Sequence, residues 1–97
     1  MNPNPSAHVI SLPAIIDLRA VEPLKTALLE QRGQAVALDA SAVERIGGLG
    51  VQLLLSAIKT WQADAQELTF LNVSNAMSEQ WLGFGASPTP LAMQDAA

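Results

Sequence analysis

Residues 38–57, LDASAVERIGGLGVQLLLSA, hold a short apolar run, a polar turn, glycines at 47, 48 and 50, and then a long apolar stretch. The apolar run belongs to QAVALDAS (34–41), whose brevity and closing Asp and Ser predict a buried strand. The stretch after the glycines, GLGVQLLLSAIKTW (48–61), has helical length. In it Leu54, Leu55, Ile58 and Trp61 line one side, Leu49, Leu53 and Ala57 another, and Gln52, Ser56 and Lys59 leave a narrow polar stripe. A strand passing through a tight glycine turn into a mostly covered helix is the repeating step of a parallel α/β fold.

The flanking sequence extends that step in both directions. HVISLP (8–13) predicts a strand, and IIDLRAVEPLKTALLEQRG (15–33) sets Leu18, Val21, Leu24 and Leu28 at helical spacing before Gly33 stops it. Pro23 is tolerated if regular helix begins only at about Ala20 to Glu22, because first-turn amides have no intrahelical acceptor to lose. ELTFLNVS (67–74) predicts another strand, and SNAMSEQWLGFG (74–85) a short helix capped by Ser74 or Asn75 and ended by glycine. Strand and helix alternating three times imply a partly parallel sheet with right-handed crossovers, one face covered more fully than the other. MNPNPSA (1–7) and SPTPLAMQDAA (87–97) show no periodicity and read as flexible ends around one domain over 8–86.

Composition narrows the function classes. With 49% hydrophobic and 14% charged residues the chain is foldable and apolar rather than disordered. Nine acidic residues against five basic ones give a net charge of -4, and Arg19, Lys25, Arg32, Arg45 and Lys59 stand singly, which argues against nucleic acid as a partner. The chain has no cysteine, so no disulfide or thiolate metal site, in keeping with a cytoplasmic location. No apolar stretch approaches a membrane span. His8 is the one histidine and reads as an edge-strand residue rather than a base, and the acidic residues are too dispersed for a metal site. The expectation is a non-enzyme with no cofactor. Trp61 and Trp81 read as core contacts, and Asp39 as a residue that pairs with Arg45 or caps loop amides.

The glycine loop admits three readings. Free amides at a helix start bind anions, but the loop lacks the Lys-Ser/Thr of a P-loop, and Gly47, Gly48 and Gly50 are too close together for G-x-G-x-x-G. Alternatively, the glycines serve close packing of the helix start. The third reading is a resemblance. LDASAVERIGGLGVQLLLSA, followed by LTFLNVS and WLGFGA, resembles the STAS domain, the family of sulphate transporters and anti-sigma-factor antagonists. Asp39, Ser41 and Val43 match that family's Asp-x-Ser-x-Val, Gly48 and Leu49 its helix-opening Gly-Leu, Asn72 and Ser74 its later strand end, and Gly83 or Gly85 its closing glycine. Asp17 stands at the acidic position leading into the first helix.

The resemblance implies a STAS-like mixed, partly parallel sheet of about four strands with helices mainly on one face. It also implies docking onto a protein partner through the glycine loop and second helix, which engages Arg45, Ile46, Gly47, Gly48, Gly50, Gln52, Ser56 and Lys59. Asp39, Ser41, Asn72 and Ser74 would be the structural motif. In antagonists switched by a kinase, the Ser or Thr before the helix-opening Gly accepts phosphate; here that position is Gly47, so the switch is absent there. The expected role is a bacterial signalling module whose partner is a histidine-kinase-like anti-sigma regulator or a chemotaxis component. The alternative is an accessory subunit on the ATPase of an ABC-type lipid transporter. Homodimerisation stays open, as does small-ligand binding at the loop amides or in a groove between helices. An arginine at Gly47 or Gly50 is expected to abolish docking while sparing the fold.

Overall fold

The computed structural model describes residues 7–87 and 89–92. Its elements in chain order are β1 (His8–Ser11), β2 (Ile15–Ile16), α1 (Leu18–Glu30), β3 (Val36–Asp39), β4 (Arg45–Ile46), α2 (Gly48–Ala63), β5 (Leu68–Leu71), α3 (Asn75–Gly83) and α4 (Thr89–Ala92). β1, β3 and β5 form a three-stranded sheet with β3 in the centre, and β2 and β4 form a separate two-stranded ribbon. All the pairings are parallel, so the expected α/β fold stands, with five short strands in two sheets in place of about four in one.

Topology decides which face is covered. The crossovers from β1 to β3 and from β3 to β5 move the same way across the sheet, and right-handed connections that step in one direction lay their helices on one face. Register assigns His8, Ile10, Val36, Leu38, Leu68 and Phe70 to that face. Val36, Leu38 and Phe70 are fully covered there, and Ile10 and Leu68 pack against the same core. Opposite them lie Val9, Ser11, Ala37, Asp39, Thr69 and Leu71, none of which joins the core cluster; Val9 is 53% exposed. His8 is exposed on β1, at the sheet edge, as expected.

Each helix follows from a local device. Asp17 caps α1 by accepting from the Arg19 amide at 3.0 Å and the Ala20 amide at 3.3 Å. That cap starts the helix at Leu18, earlier than the proline suggested, so Pro23 lies inside it. Leu18 is 72% exposed and leaves the burial to Leu24 and Leu28. Gly33, at φ +90, turns the chain towards β3. Ser74 caps α3: its Oγ accepts from the Met77 amide at 3.1 Å and donates to the Val43 carbonyl at 2.6 Å, tying the helix start to the loop after β3. α3 ends in a Schellman motif, with Gly85 at φ +80 donating to Leu82 and Ala86 donating to Trp81. Gly85 is therefore the closing glycine, while Gly83 is still helical.

α2 ends the same way, with Ala65 donating to Gln62 and Gln66 to Trp61, but Ala65 holds φ 57 without being glycine. Ala65→Gly relieves the β-carbon clash of that conformation and is expected to stabilise the protein by about 0.5–1 kcal/mol, which thermal denaturation reads as a rise of roughly 3–6 °C.

Trp61 and Trp81 are core residues, as expected, and both satisfy their indole N–H groups. Trp61 donates to the Gln34 carbonyl at 2.8 Å and Trp81 to the Ser87 carbonyl at 2.7 Å. Trp81 also meets Phe70 edge to face, with ring centroids 6.1 Å apart. The expected flexible tail from 87 onwards is corrected over Thr89–Ala92: α4 forms there, packs against β5 and buries Leu91 in the core. Residues 1–6 of the expected flexible N-terminus, and 88 and 93–97 of the tail, lie outside the described residues. Among the described residues no helix is long and apolar enough to cross a membrane.

Candidate functional site: the glycine loop and the exposed line of α2

The short ribbon β2–β4 places the glycine loop. Ile15 pairs with Arg45 and Ile16 with Ile46, the Gly47 amide donates to the Ile16 carbonyl at 3.0 Å, and α2 begins at the next residue. On the other side of β4, Gln80 of α3 takes the place of a neighbouring strand. Its Oε1 accepts from the Ile46 amide at 2.8 Å and its Nε2 donates to the Glu44 carbonyl at 2.9 Å. Two otherwise open backbone groups are satisfied by one side chain, which locks the loop to α3. Sequence reasoning missed Gln80, since a glutamine on a short helix carries no local signal of the strand it will serve.

Gly47 is the N-cap of α2, in extended backbone at φ −89 and ψ 174. A β-carbon there would meet only the Ile16 carbonyl, at 3.8 Å. A serine therefore fits the position without strain; what the chain lacks is the hydroxyl, not the geometry. Gly48 lies beneath Phe84, whose Cε1 is 3.5 Å from where its β-carbon would be. Leu49, next in the chain, is 50% exposed and Phe84 54% exposed, so the start of α2 is flanked by two apolar side chains open to solvent. Further along, Gln52, Ser56 and Lys59 are exposed at spacings of four and three residues, continuing the line that Leu49 begins.

Two of the expected contact residues point the other way. Ile46 is buried in the core. Gly50 is buried too, and a β-carbon on it would lie 2.7 Å from Ile16 Cγ2, 2.9 Å from Ile46 Cγ1 and 3.2 Å from the Ile16 carbonyl. Gly50 is where the helix presses against the ribbon, so an arginine there breaks the packing, contrary to the expectation that it would spare the fold. Arg45, by contrast, is exposed on β4. The surface gains Leu49, assigned by periodicity to a covered side, and Phe84. The apolar residue between Gly83 and Gly85 was the available signal for the latter.

Behind the loop, the expected structural motif comes together. Asp39 Oδ1 accepts from the Ser41 amide at 2.9 Å. The Asp39 carboxyl is held below its ordinary pKa by that amide first, then by the Ser41 hydroxyl, with a smaller contribution from the Asn72 side chain. Asn72 adopts φ 53 at the end of β5, and the Ser74 amide donates to the Ala40 carbonyl. Asp39 thus caps a turn amide rather than pairing with Arg45; the ion pair among the described residues is Arg32–Asp64, at 3.0 Å, joining the ends of α1 and α2. A cavity of about 540 Å³ opens at the far end of α2, lined by Ile58, Trp61, Leu68, Thr69 and Pro90. The 16-residue helix separates it from the glycine loop by roughly 20 Å.

Known proteins place this arrangement. A solved structure described as "Crystal Structure Analysis of Mglu" is similar to the chain, with a TM-score of 0.59 and 25% identity over 64% of this chain. The similarity spans 16% of that protein's chain, so the shared unit is a small part of it. No curated protein matches. The family model described as "Mlab, STAS domain" matches residues 2–85, which takes in both sheets, the glycine loop and the first three helices. This chain belongs to the STAS domain family.

Proposed function

We propose that the protein is a non-enzymatic protein-interaction module that docks its partner on the start and exposed line of α2. The observation that carries this is the pair Leu49 and Phe84, two half-exposed apolar side chains at the start of α2, Leu49 following Gly48 in the chain and Phe84 lying over it. Around them Arg45, Gly47, Gly48, Gln52, Ser56 and Lys59 form the polar remainder of the surface. With no hydroxyl at the cap, this surface is not switched by phosphorylation at Gly47. Either control rests on the partner or on protein level, or the protein is locked in the state of an unmodified family member.

The leading partner class is a kinase-like anti-sigma regulator or a chemotaxis component, in bacterial signalling within the cytoplasm. The second reading is an accessory subunit on the ATPase of an ABC-type lipid transporter, which would use the same α2 surface. Immobilised wild-type protein and a Leu49→Asp variant, incubated with the same native extract and compared by quantitative mass spectrometry, test the proposal. Loss of at least about tenfold of a retained protein with the variant is expected, as for a central apolar contact. The identity of that protein separates the two classes. Equal retention by both baits removes α2 from the interface.

A further inference from the structure

The chemistry of the partner surface follows from how charge is distributed along the chain. The nine carboxylates of this protein leave a gap: between Glu44 and Asp64 there is none, while the same segment carries Arg45 and Lys59. Two cations and no anions make residues 45–63 locally +2 in a chain whose net charge is -4. Both cations are exposed, and among the described residues neither is in an ion pair. Lys59 lies on the exposed line Leu49, Gln52, Ser56, and Arg45 lies just before the helix, so the positive charges stand at the two ends of the surface and the apolar pair Leu49 and Phe84 between them. The helix start adds its own partial positive charge, and Gly47 brings no side-chain oxygen to its amides. The acidic groups on neighbouring elements are Glu44 beside Arg45, Glu79 on α3 and Asp17 before α1. Asp17 is engaged with the first amides of its own helix.

We infer that the partner is a protein that presents carboxylates on either side of an apolar contact, seated along α2 with acidic groups facing Arg45, Lys59 and the helix start. This rests on the docking surface proposed above and names its complement. Opposite charges at the rim of an apolar centre speed encounter and fix register. An anionic membrane is the weaker match, because lipid surfaces recruit clusters of roughly four to eight cations and the rest of this chain is acidic.

The test uses the isotope-labelled full chain and three probes: an acetylated amphipathic helical peptide with glutamates flanking a Leu-Phe centre, the same peptide with lysines for the glutamates, and vesicles of phosphatidylglycerol and phosphatidylcholine. The expected result is shifts of amides between 45 and 60 with the acidic peptide, affinity for the basic peptide at least about tenfold lower, and reversal of that order in the Arg45→Glu/Lys59→Glu double variant. Equal affinity for both peptides, or binding of the vesicles alone, overturns the inference. The same double variant, used as bait in the capture experiment, separates the two levels. If Leu49→Asp loses the partner and charge reversal does not, docking on α2 stands and the acidic complement falls. If neither loses it, the docking surface itself is wrong.

Discussion

Gly50→Val is expected to destabilise the protein by about 3 kcal/mol, the upper part of the range for forcing atoms into a filled core. The reason is local. A β-carbon at this position lies within 3 Å of two isoleucine side chains, Ile16 and Ile46, which are themselves almost wholly buried and have nowhere to withdraw. The Ile16 carbonyl, at 3.2 Å, belongs to the same backbone that receives the Gly47 amide, so α2 cannot back away without breaking the hydrogen bond that seats the loop. Gly50→Ala carries part of the effect, since alanine gains about 1 kcal/mol in helix propensity against its clash. Gly47→Ser is the control: it has room and supplies a cap that glycine lacks, for a change of a few tenths of a kcal/mol in the stabilising direction. Urea denaturation followed by circular dichroism ranks the three. A Gly50→Val protein as stable as wild type would mean that the helix start does not rest on the ribbon as described.

Trp81→Ala is expected to cost about 3–5 kcal/mol, a large share of the roughly 5–15 kcal/mol that holds a domain of this size together. Trp81 is fully buried, stacks its edge on Phe70, and donates its indole N–H to the Ser87 carbonyl. Removing it opens a cavity at the centre of the helical face, ends the aromatic contact and orphans an acceptor in the segment that leads to α4. Trp81→Phe retains much of the ring volume and loses the donor, so its loss is expected to be smaller, about 1–2 kcal/mol. Chemical denaturation with Trp61 as the remaining fluorophore measures both. If alanine and phenylalanine variants lose equal stability, the volume of Trp81 contributes little and the hydrogen bond carries the effect.

These two sites mark different limits of what a sequence discloses. The core role of Trp81 was legible, because a large apolar residue at helical spacing with Met77, shortly before a closing glycine, has few other uses. Gly50 was misplaced: its glycine neighbours made it look like part of a loop surface, and only the packing of α2 on β2 and β4 turns it inward. The ribbon itself was missed for a related reason, since two-residue strands are too short to carry a period of two. Pro23 misled in the opposite sense. It argued for a late helix start, and the Asp17 cap overrode it.

By itself the sequence determined the α/β class, the order of the main strands and helices, a cap at Ser74 or Asn75 for the helix after β5, and the glycine that stands where the family's hydroxyl would be. These depend on local rules: side-chain period, capping chemistry and positive φ act over a few residues, and those residues are adjacent in the chain. Tertiary structure alone decided that Leu49 faces solvent while Gly50 and Ile46 do not, that Phe84 returns to cover Gly48, that Gln80 closes the edge of β4, and that Leu91 completes the core. Gly50 on Ile16, Phe84 over Gly48 and Gln80 on Ile46 join segments tens of residues apart, and how α2 and α3 settle against the sheet and ribbon is encoded by no local pattern.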